Sequence, residues 1–335
     1  MKIRYPHYYH DFSCIASLCP DSCCKEWAVD VDPEAAALYR NLPGDLGDRL
    51  RDVLKSEEDG WASMDIIDHR CPMWRDDGLC RIQAELGHDA LCKTCREFPR
   101  LTHDYGDFQE LGLELSCPEA TRLILSSTQA NLSETEASGG EEPEYDKGFM
   151  SVLLDSREKA LDLLANPAYD LGQALSILLL FGYDTHMAWE FRDEIPVPMD
   201  AEIYLDAARN AKGHGSMTDI FDLYRDLEIL TPQWQELLDR GPVDGPWLPE
   251  HRAMAIYLVQ RYWLQAVADE DLLCRVKFII AACMTARHLG APVHRAAQLW
   301  SKEIENDADN VEALLTAAYQ SPALTDAKLL HLLSK

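Results

Sequence analysis

The sequence has few positive charges and no long hydrophobic run. Lys and Arg total 31 against 58 Asp and Glu, which gives a formal charge of −27. Phosphate backbones and anionic lipids repel so acidic a chain, so we expect neither nucleic acid nor a membrane surface as a partner. Charged residues interrupt the most apolar region between positions 261 and 277, and no stretch of about 18 apolar residues could span a membrane.

Several motifs that mark enzyme classes are also missing. The sequence contains no Ser, His and Asp arrangement, no phosphate-binding loop and no HExxH helix. No glycine-rich loop follows a strand pattern, so a Rossmann-type nucleotide site is not predicted. Residues 1–11 lack the apolar core and the small-residue cleavage site of a secretory signal, so we expect a cytoplasmic protein.

What the chain does have is cysteine, and its cysteines are grouped. Nine of the 11 lie within residues 14–117. In a reducing cytosol, clustered thiols bind metal more readily than they pair as disulfides. We therefore predict a metal or iron–sulfur site, and catalysis, if there is any, has to pass through it. The predicted ligands are Cys14, Cys19, Cys23, Cys24, Cys71, Cys80, Cys92, Cys95 and Cys117.

The cysteine spacing does not decide between zinc and an iron–sulfur cluster. Zinc ribbons usually carry two CxxC pairs, and only Cys92 and Cys95 have that form. Adjacent cysteines such as Cys23 and Cys24 seldom chelate one ion together, so this pair could serve two sites, or supply one ligand and one core residue. Nine sulfurs suffice for two four-cysteine sites with one left over, but spacing assigns no ligand to either.

The chain divides into parts with different patterns. Residues 1–125 are predicted to form a cysteine-rich metal-binding lobe of short elements, with a strand or hairpin arm at 107–116. Residues 126–147 are rich in Ser, Thr, Glu and Gly and lack apolar periodicity, which predicts a linker or exposed loop. Residues 148–335 are predicted to form a helical domain.

The expected fold is therefore mainly α, with the cysteine-rich lobe and its short β element packed on the helical domain. Two helices are predicted in the lobe, at 32–42 and 46–54. Cys274 and Cys283 lie on one apolar helix and are predicted to be core residues. Apolar residues at helical spacing predict helices in the second part at 149–164, 171–189, 201–211, 217–230, 251–267, 272–287, 293–304, 311–319 and 323–333.

Three charged residues beside the cysteines are candidates for cofactor binding. Arg96 and Arg100 could clamp a carboxylate or balance thiolate charge, or they could form structural ion pairs with nearby Asp and Glu. Glu119 could act as a base towards a lysine ammonium, although a carboxylate at a helix N-terminus is the plainer interpretation.

Aromatic residues and histidines near the cysteines are weaker candidates for a role at the metal site. Trp27 and Trp74 closely follow cysteine blocks, where they could shield a cluster from water or simply pack in the core. Any of the nearby histidines could ligate a metal, but a surface or supporting position is the commoner one for such residues. These histidines are His7, His10, His69 and His103.

Five sequence blocks around the cysteines occur in a definite order. They read FSC at 12–14, CPDSCCKEW at 19–27, CPMW at 71–74 with GLCRIQ at 78–83, LCKTCREFPR at 91–100 and LSCPEA at 115–120. Within residues 8–125 these blocks resemble the flagellin lysine-N-methylase family, which is related to a broader class of clustered-cysteine zinc- or iron-chelating domains. The helical part has no motif that matches this family.

The resemblance implies an enzyme that transfers methyl groups from S-adenosylmethionine to lysine side chains of flagellin or another protein. It also implies an iron–sulfur cluster, expected to be 4Fe-4S, held by the cysteines. The alternative is a zinc- or iron-chelating structural or redox-sensing module without methyltransferase activity. Cys92 stands at a position that we expect to vary in the family, and the remaining eight cysteines form the implied family set.

Overall fold

The described part of the protein is mainly helical. The computed structural model describes residues 1–25, 28–68, 70–192 and 197–335, with 58% helix and 10% strand, which confirms the predicted mainly α class. No helix in these ranges is long and apolar enough to cross a membrane. The helices are α1 Pro33–Asn41, α2 Gly44–Val53, α3 Arg81–Leu86, α4 Lys93–Glu97, α5 Pro118–Ile124, α6 Lys147–Ala165, α7 Leu171–Phe191, α8 Ala201–Asn210, α9 Met217–Arg225, α10 Pro232–Arg240, α11 Pro249–Tyr262, α12 Leu272–His288, α13 Val293–Ile304, α14 Ala308–Gln320 and α15 Asp326–Leu333.

Two small sheets accompany the helices, which is more β structure than the single short element predicted. The first has the strand order β5-β6-β1-β7, in which β1 is parallel to β6 and antiparallel to β7. The second is antiparallel, with the order β2-β4-β3. The strands are β1 Lys2–Pro6, β2 Val29–Val31, β3 Leu54–Ser56, β4 Ala62–Met64, β5 Arg100–Asp104, β6 Phe108–Leu113 and β7 Leu132–Glu136.

The segment 126–147, for which we predict a linker or exposed loop, contains the strand β7. Its sequence, LSETE, is mostly exposed and has no buried face, so it lacks the alternation that marks a half-buried strand. Pairing with β1 forms it, with Ile3 opposite Thr135 and Lys2 opposite Glu136. An edge strand of this kind depends on a partner strand about 130 residues away. The residues next to it in sequence give no sign of that pairing.

The predicted helices of the second part are present, but several of their bounds differ from the prediction, and one further helix is found. The helix expected at 217–230 ends at Arg225, and the one expected at 251–267 gives way after Tyr262 to a tighter turn at Trp263–Ala268. Helix α10 was not predicted, although Thr231 caps it by accepting a hydrogen bond from the Trp234 N–H at 3.2 Å.

Helix α12 is the centre of the helical part, and nearly all of its residues are buried. It packs against α7, α11, α13 and α14. Gly182 allows α7 to approach α12 closely, because a Cβ at this position would lie 2.7 Å from a methyl group of Val276. Cys274 and Cys283 are both buried in α12, as predicted.

The buried side chains form two hydrophobic cores of unequal size. The smaller core takes its residues from positions 29 to 92. The larger core combines the helical part with Tyr8, Phe12 and residues 108–125. The predicted lobe boundary at residue 125 therefore does not coincide with the boundary between the cores, because Tyr8, Phe12 and residues of β6 and α5 belong to the larger core.

A buried ion pair joins the four-stranded sheet to the helical part. Arg157 on α6 donates from both terminal nitrogens to the two carboxylate oxygens of Glu110 on β6, each at 2.6 Å. Both side chains are over nine-tenths buried. Removing one partner of such a pair leaves an uncompensated charge in the protein interior.

We expect Arg157→Met to lower the free energy of unfolding by about 3 to 5 kcal/mol, because Glu110 would keep a buried charge with only the more distant Arg4, at 3.8 Å, beside it. Urea unfolding followed by circular dichroism measures this change. The matched control is Arg209→Met on the exposed side of α8, expected to change stability by less than about 0.5 kcal/mol. Equal losses in the two variants would contradict the assignment of the ion pair as structurally important.

Glu303 on α13 is a fully buried carboxyl group beside the turn that precedes α10. It accepts a hydrogen bond from the Leu230 N–H at 2.8 Å, while its other oxygen has no partner within the described residues. Burial raises the pKa of Glu303 to about 7, despite hydrogen bonds from Thr231 and the charge of Lys302 that lower it. At pH values between the unfolded-state and folded-state pKa of Glu303, folding is therefore accompanied by uptake of a proton at this carboxyl.

Because the pKa of Glu303 is higher in the folded than in the unfolded protein, protonation of this carboxyl stabilises the fold. This stabilisation is complete below the unfolded pKa and is lost as the pH rises through about 7. Glu303→Gln cannot ionise. We therefore expect its free energy of unfolding, relative to that of the wild type, to rise by about 3 kcal/mol between pH 5 and pH 8. Urea unfolding at several pH values tests this. Glu312→Gln, on the exposed face of α14, is the control and should parallel the wild type. A pH-independent difference for Glu303→Gln would show that this carboxyl does not titrate as stated.

Candidate metal and cofactor site

Cysteines from five separate segments of the chain converge on two adjoining cavities. The smaller cavity has a volume of about 80 Å³ and the wider one about 390 Å³. Cys71 and Cys92 line only the small cavity, and four cysteines line both. The wide cavity alone is lined by Cys14, Cys19 and Cys117, and the shared wall is formed by Cys23, Cys24, Cys80 and Cys95.

Backbone contacts around the smaller core bring three of these cysteines together. The Cys71 N–H donates to the Cys24 carbonyl at 2.8 Å, which joins the first and second cysteine segments. An isolated antiparallel bridge between Trp74 and Cys80 then folds the chain back towards Cys71. One contact is long-range and the other is local, and together they position the thiols around the short stretch CPMW without a long helix or strand.

The Cys92 and Cys95 thiols lie at the start of α4, which Asp32 attaches to the smaller core. One carboxylate oxygen of Asp32 accepts from the Ala35 N–H at 3.1 Å and caps α1. The other accepts from the Lys93 N–H at 2.7 Å and so holds the first turn of α4. A single carboxylate therefore satisfies free N–H groups of two helices and fixes their separation.

Asp21, between Cys19 and Cys23, attaches the first cysteine segment to the helical part. Its carboxylate accepts hydrogen bonds from Arg295 at 2.8 Å and Gln298 at 3.1 Å, and Lys302 lies 3.5 Å away. Burial raises the pKa of Asp21, but these partners on α13 outweigh it and hold the pKa below its usual value. The sequence analysis missed this residue, because its partners lie more than 270 positions away.

Gln298 also binds the last cysteine segment. Its side-chain amide donates to the Ser116 carbonyl at 2.8 Å, directly before Cys117 at the N-terminus of α5. The same NH₂ group donates to Asp21. One buried amide on α13 therefore joins the segment that carries Cys19 and Cys23 to the segment that carries Cys117.

The thiols are electrostatically coupled to one another. Burial raises the pKa of Cys71 to about 12 and of Cys117 to about 11. A hydrogen bond with Cys23 lowers the pKa of Cys24 to about 7, and the same bond raises the pKa of Cys23. Cys92 and Cys95 form a second such pair, in which Cys92 has the lowered pKa. A metal that bound the whole set would therefore displace several protons.

The three charged residues predicted to bind a cofactor all line the wide cavity. Arg96 donates to the Leu91 carbonyl at 3.4 Å, and the Arg100 guanidinium lies 5.1 Å from the centre of the Phe12 ring. Glu119, in the first turn of α5, forms a two-bond ion pair with Arg122 at 2.6 and 2.9 Å. Arg122 holds the pKa of Glu119 below its usual value, so this carboxyl stays ionised at neutral pH.

The aromatic and histidine candidates that the structure describes do not line the two cavities. The Arg70 guanidinium lies 4.5 Å and the Lys25 ammonium 5.1 Å from the centre of the Trp74 ring. Trp74 lines neither cavity. Among the described candidates His7, His10 and His103, none lines a cysteine cavity either. His88, which was not singled out, lines the wide cavity. Trp27 and His69 lie outside the described residues.

The donor set suits a soft or borderline metal, or an iron–sulfur cluster, because thiolates bind these groups strongly. Within the described residues, no group of three or more His, Cys, Asp or Glu side chains is already arranged to hold one metal ion. The fit therefore rests on the chemistry of nine thiols at adjoining cavities. If such a group binds, the cysteine segments hold it, and Arg96, Arg100 and Glu119 provide the charged wall.

Comparison with known proteins relates this chain to three proteins of Salmonella. The flagellar biosynthetic protein FliU of Salmonella muenchen is 34% identical over 136 residues, which are 39% of this chain and 80% of FliU. The lysine-N-methylases of Salmonella typhimurium and Salmonella choleraesuis are 34% and 33% identical over 136 residues. The chain belongs to the flagellin lysine-N-methylase family.

The shared part is limited in the longer members of the family. The matched 136 residues are 34% of the length of each of the two lysine-N-methylases. No family model matches the chain. No solved structure matches it either.

We expect Asp21→Asn to loosen the first cysteine segment from α13, because the variant removes the charge that Arg295 and Lys302 compensate. Hydrogen bonds to a charged group contribute about 1.5 to 3 kcal/mol, so local opening should become about tenfold or more easier. Hydrogen exchange followed by mass spectrometry measures this for residues 14–24. Asp48→Asn, which loses only an exposed pair with Arg51, is the control. Unchanged exchange at residues 14–24 would refute the anchoring role.

Proposed function

We propose that this protein is an iron–sulfur enzyme that transfers a methyl group from S-adenosylmethionine to a lysine side chain of a protein, with flagellin as the first candidate. The observation that carries the proposal is the convergence of nine cysteines with Arg96, Arg100 and Glu119 on adjoining cavities. The similarity to proteins named lysine-N-methylase supports the type of reaction. An iron–sulfur cluster, expected to be 4Fe-4S, supplies one-electron transfer when it is bound.

The wide cavity has the size and the charges for the methyl donor. Its volume of about 390 Å³ lies within the range of small-molecule sites. Arg96 and Arg100 present guanidinium groups that can pair with the carboxylate of S-adenosylmethionine. Phe12 and Phe98 add apolar surface to the same wall, which would limit water around the sulfonium group.

Glu119 is suited to hold the substrate lysine rather than to deprotonate it. Because its pKa is lowered by Arg122, it is a weak base at neutral pH but a strong partner for an ammonium group. In the net reaction the lysine nitrogen bonds to the methyl carbon while the sulfonium sulfur keeps the electron pair of the broken bond. One amine proton leaves to solvent, and S-adenosylhomocysteine is the second product.

The charge of the chain supports a basic protein substrate. A formal charge of −27 attracts positively charged, lysine-bearing surfaces and raises the rate of their encounter at low salt. It repels nucleic acids and anionic lipids by the same long-range force.

The first test is anaerobic purification, followed by a visible spectrum and by iron, sulfide and zinc analysis of the same sample. Brown protein with about four irons and four sulfides per centre is the expected result. Such a sample should then methylate lysines of flagellin when S-adenosylmethionine is added. Colourless protein with stoichiometric zinc and no methyl transfer would overturn the proposal in favour of a structural zinc module.

We expect Arg96→Gln and Arg100→Gln each to weaken S-adenosylmethionine binding about tenfold or more, the equivalent of roughly 1.4 kcal/mol. The reason is the loss of a charged partner for the carboxylate of the ligand. Anaerobic isothermal titration calorimetry measures the affinity. Arg49→Gln, on an exposed part of α2, should bind as the wild type does. Wild-type affinity in both cavity variants would place the donor elsewhere.

A further inference from the structure

We propose that the nine cysteines hold two separate metal centres, one in each cavity, divided at the peptide bond between Cys23 and Cys24. This inference rests on the proposed role of the cysteines as ligands, and it goes beyond that role by assigning them to two sites. The first set lies at the small cavity and consists of Cys24, Cys71, Cys80, Cys92 and Cys95. The second set lies at the wide cavity and consists of Cys14, Cys19, Cys23 and Cys117.

The small cavity is an apolar chamber within the smaller core. Val29, Tyr39, Met64, Met73 and Ile82 line it beside the thiols. At about 80 Å³ it is well below the size of ordinary small-molecule sites, so S-adenosylmethionine cannot enter it. Cys71 and Cys92 are buried there. A centre in this chamber would be shielded from solvent and substrate.

The wide cavity is larger, and its wall is charged. It borders Asp21, His88, Arg96, Arg100 and Glu119. Cys14 and Cys23 are exposed to solvent, in contrast to Cys71 and Cys92. A centre at this cavity would be within reach of the methyl donor and the substrate, so the two centres would have different roles.

Backbone contacts support the small-cavity set independently of the cavity shapes. The Cys71 N–H donates to the Cys24 carbonyl, and the Trp74–Cys80 bridge returns the chain to the same place. Asp32 holds the first turn of α4, with Cys92 and Cys95, against the strand β2. Each of these contacts lies within the smaller core.

A different contact supports the wide-cavity set. The Gln298 amide joins Asp21, which stands between Cys19 and Cys23, to Ser116, which precedes Cys117. This clamp belongs to α13 and the larger core. The two sets are therefore positioned by different parts of the fold, and Cys23 and Cys24 lie at the junction between them.

Because no three of the described thiols surround one ion as they stand, loading has to turn side chains inward within each set.

Metal analysis of cysteine variants tests the division. If both centres are 4Fe-4S, the anaerobically purified wild type should contain about eight irons and eight sulfides per chain. The small-cavity set has five thiols, so two of them are replaced together: Cys71→Ser with Cys80→Ser, and separately Cys117→Ser, should each lose about half of the metal. All three changes together should lose both halves. Cys283→Ser, a buried cysteine of α12, is the control and should keep the wild-type content.

Electron paramagnetic resonance of the reduced samples identifies which centre each variant loses. We expect Cys71→Ser with Cys80→Ser to remove one signal and Cys117→Ser to remove the other. A wild type with one centre, or two variants that abolish the same signal, would overturn the inference while leaving the proposed enzyme intact. Two zinc ions per chain, lost one at a time by the same variants, would support the inference and refute the iron–sulfur enzyme.

A second measurement does not depend on cysteine variants that could fail to fold. A chelator added to the loaded wild type should remove metal in two phases, because the wide cavity is the more accessible. Gln298→Ala should speed the first phase about tenfold or more and leave the second unchanged, and Gln320→Ala, at the exposed end of α14, should change neither. A single phase, or equal acceleration of both phases by Gln298→Ala, would contradict two independent centres.

Discussion

The bonds between the Asp21 carboxylate and α13 are the interaction on which the position of the first cysteine segment depends. A desolvated carboxylate needs charged or hydrogen-bonding partners, and this one receives them from Arg295, Gln298 and Lys302 on α13. Helix α13 therefore stabilises the observed conformation of residues 19–24. The arrangement of the cysteines accordingly depends on a distant part of the chain, although the candidate ligands all belong to the first 117 residues.

The cysteine side chains differ in how readily they lose a proton, and metal binding would displace the protons that remain. Burial and mutual repulsion keep several thiols protonated, while the pairs Cys23–Cys24 and Cys92–Cys95 each favour one thiolate. A bound metal would supply further positive charge that stabilises thiolates. Metal affinity and pH would thereby be linked, and loading would stabilise both cores at once because both contribute candidate ligands.

The sequence was sufficient for features that depend on local pattern. Apolar periodicity located the long helices, and for α13 the predicted range 293–304 matches the observed bounds. Grouped cysteines and their flanking residues indicated the candidate ligands and the charged residues Arg96, Arg100 and Glu119. The short helix α10 had a start signal in Thr231 and Pro232 that was overlooked. These successes and this omission concern information within about a dozen residues of sequence.

Features that depend on distant pairing could not be predicted from the sequence. The strand β7 is polar and exposed, so only its hydrogen bonds with β1 define it. The roles of Asp21 and Gln298 are equally invisible, because an aspartate in a loop and a glutamine on a helix have no distinctive local pattern. The division of the cysteines between two cavities likewise depends on which core each segment joins.

The distance in sequence between Asp21 and α13 also affects synthesis. Arg295 follows Asp21 by 274 residues. At about 5 to 20 residues per second, the ribosome needs roughly 14 to 55 s to make this intervening chain. During that time the first cysteine segment is already exposed without its anchor. Insertion of metal before release would then have only the smaller core as a template, and a newly made chain would be most vulnerable to oxidation in this interval.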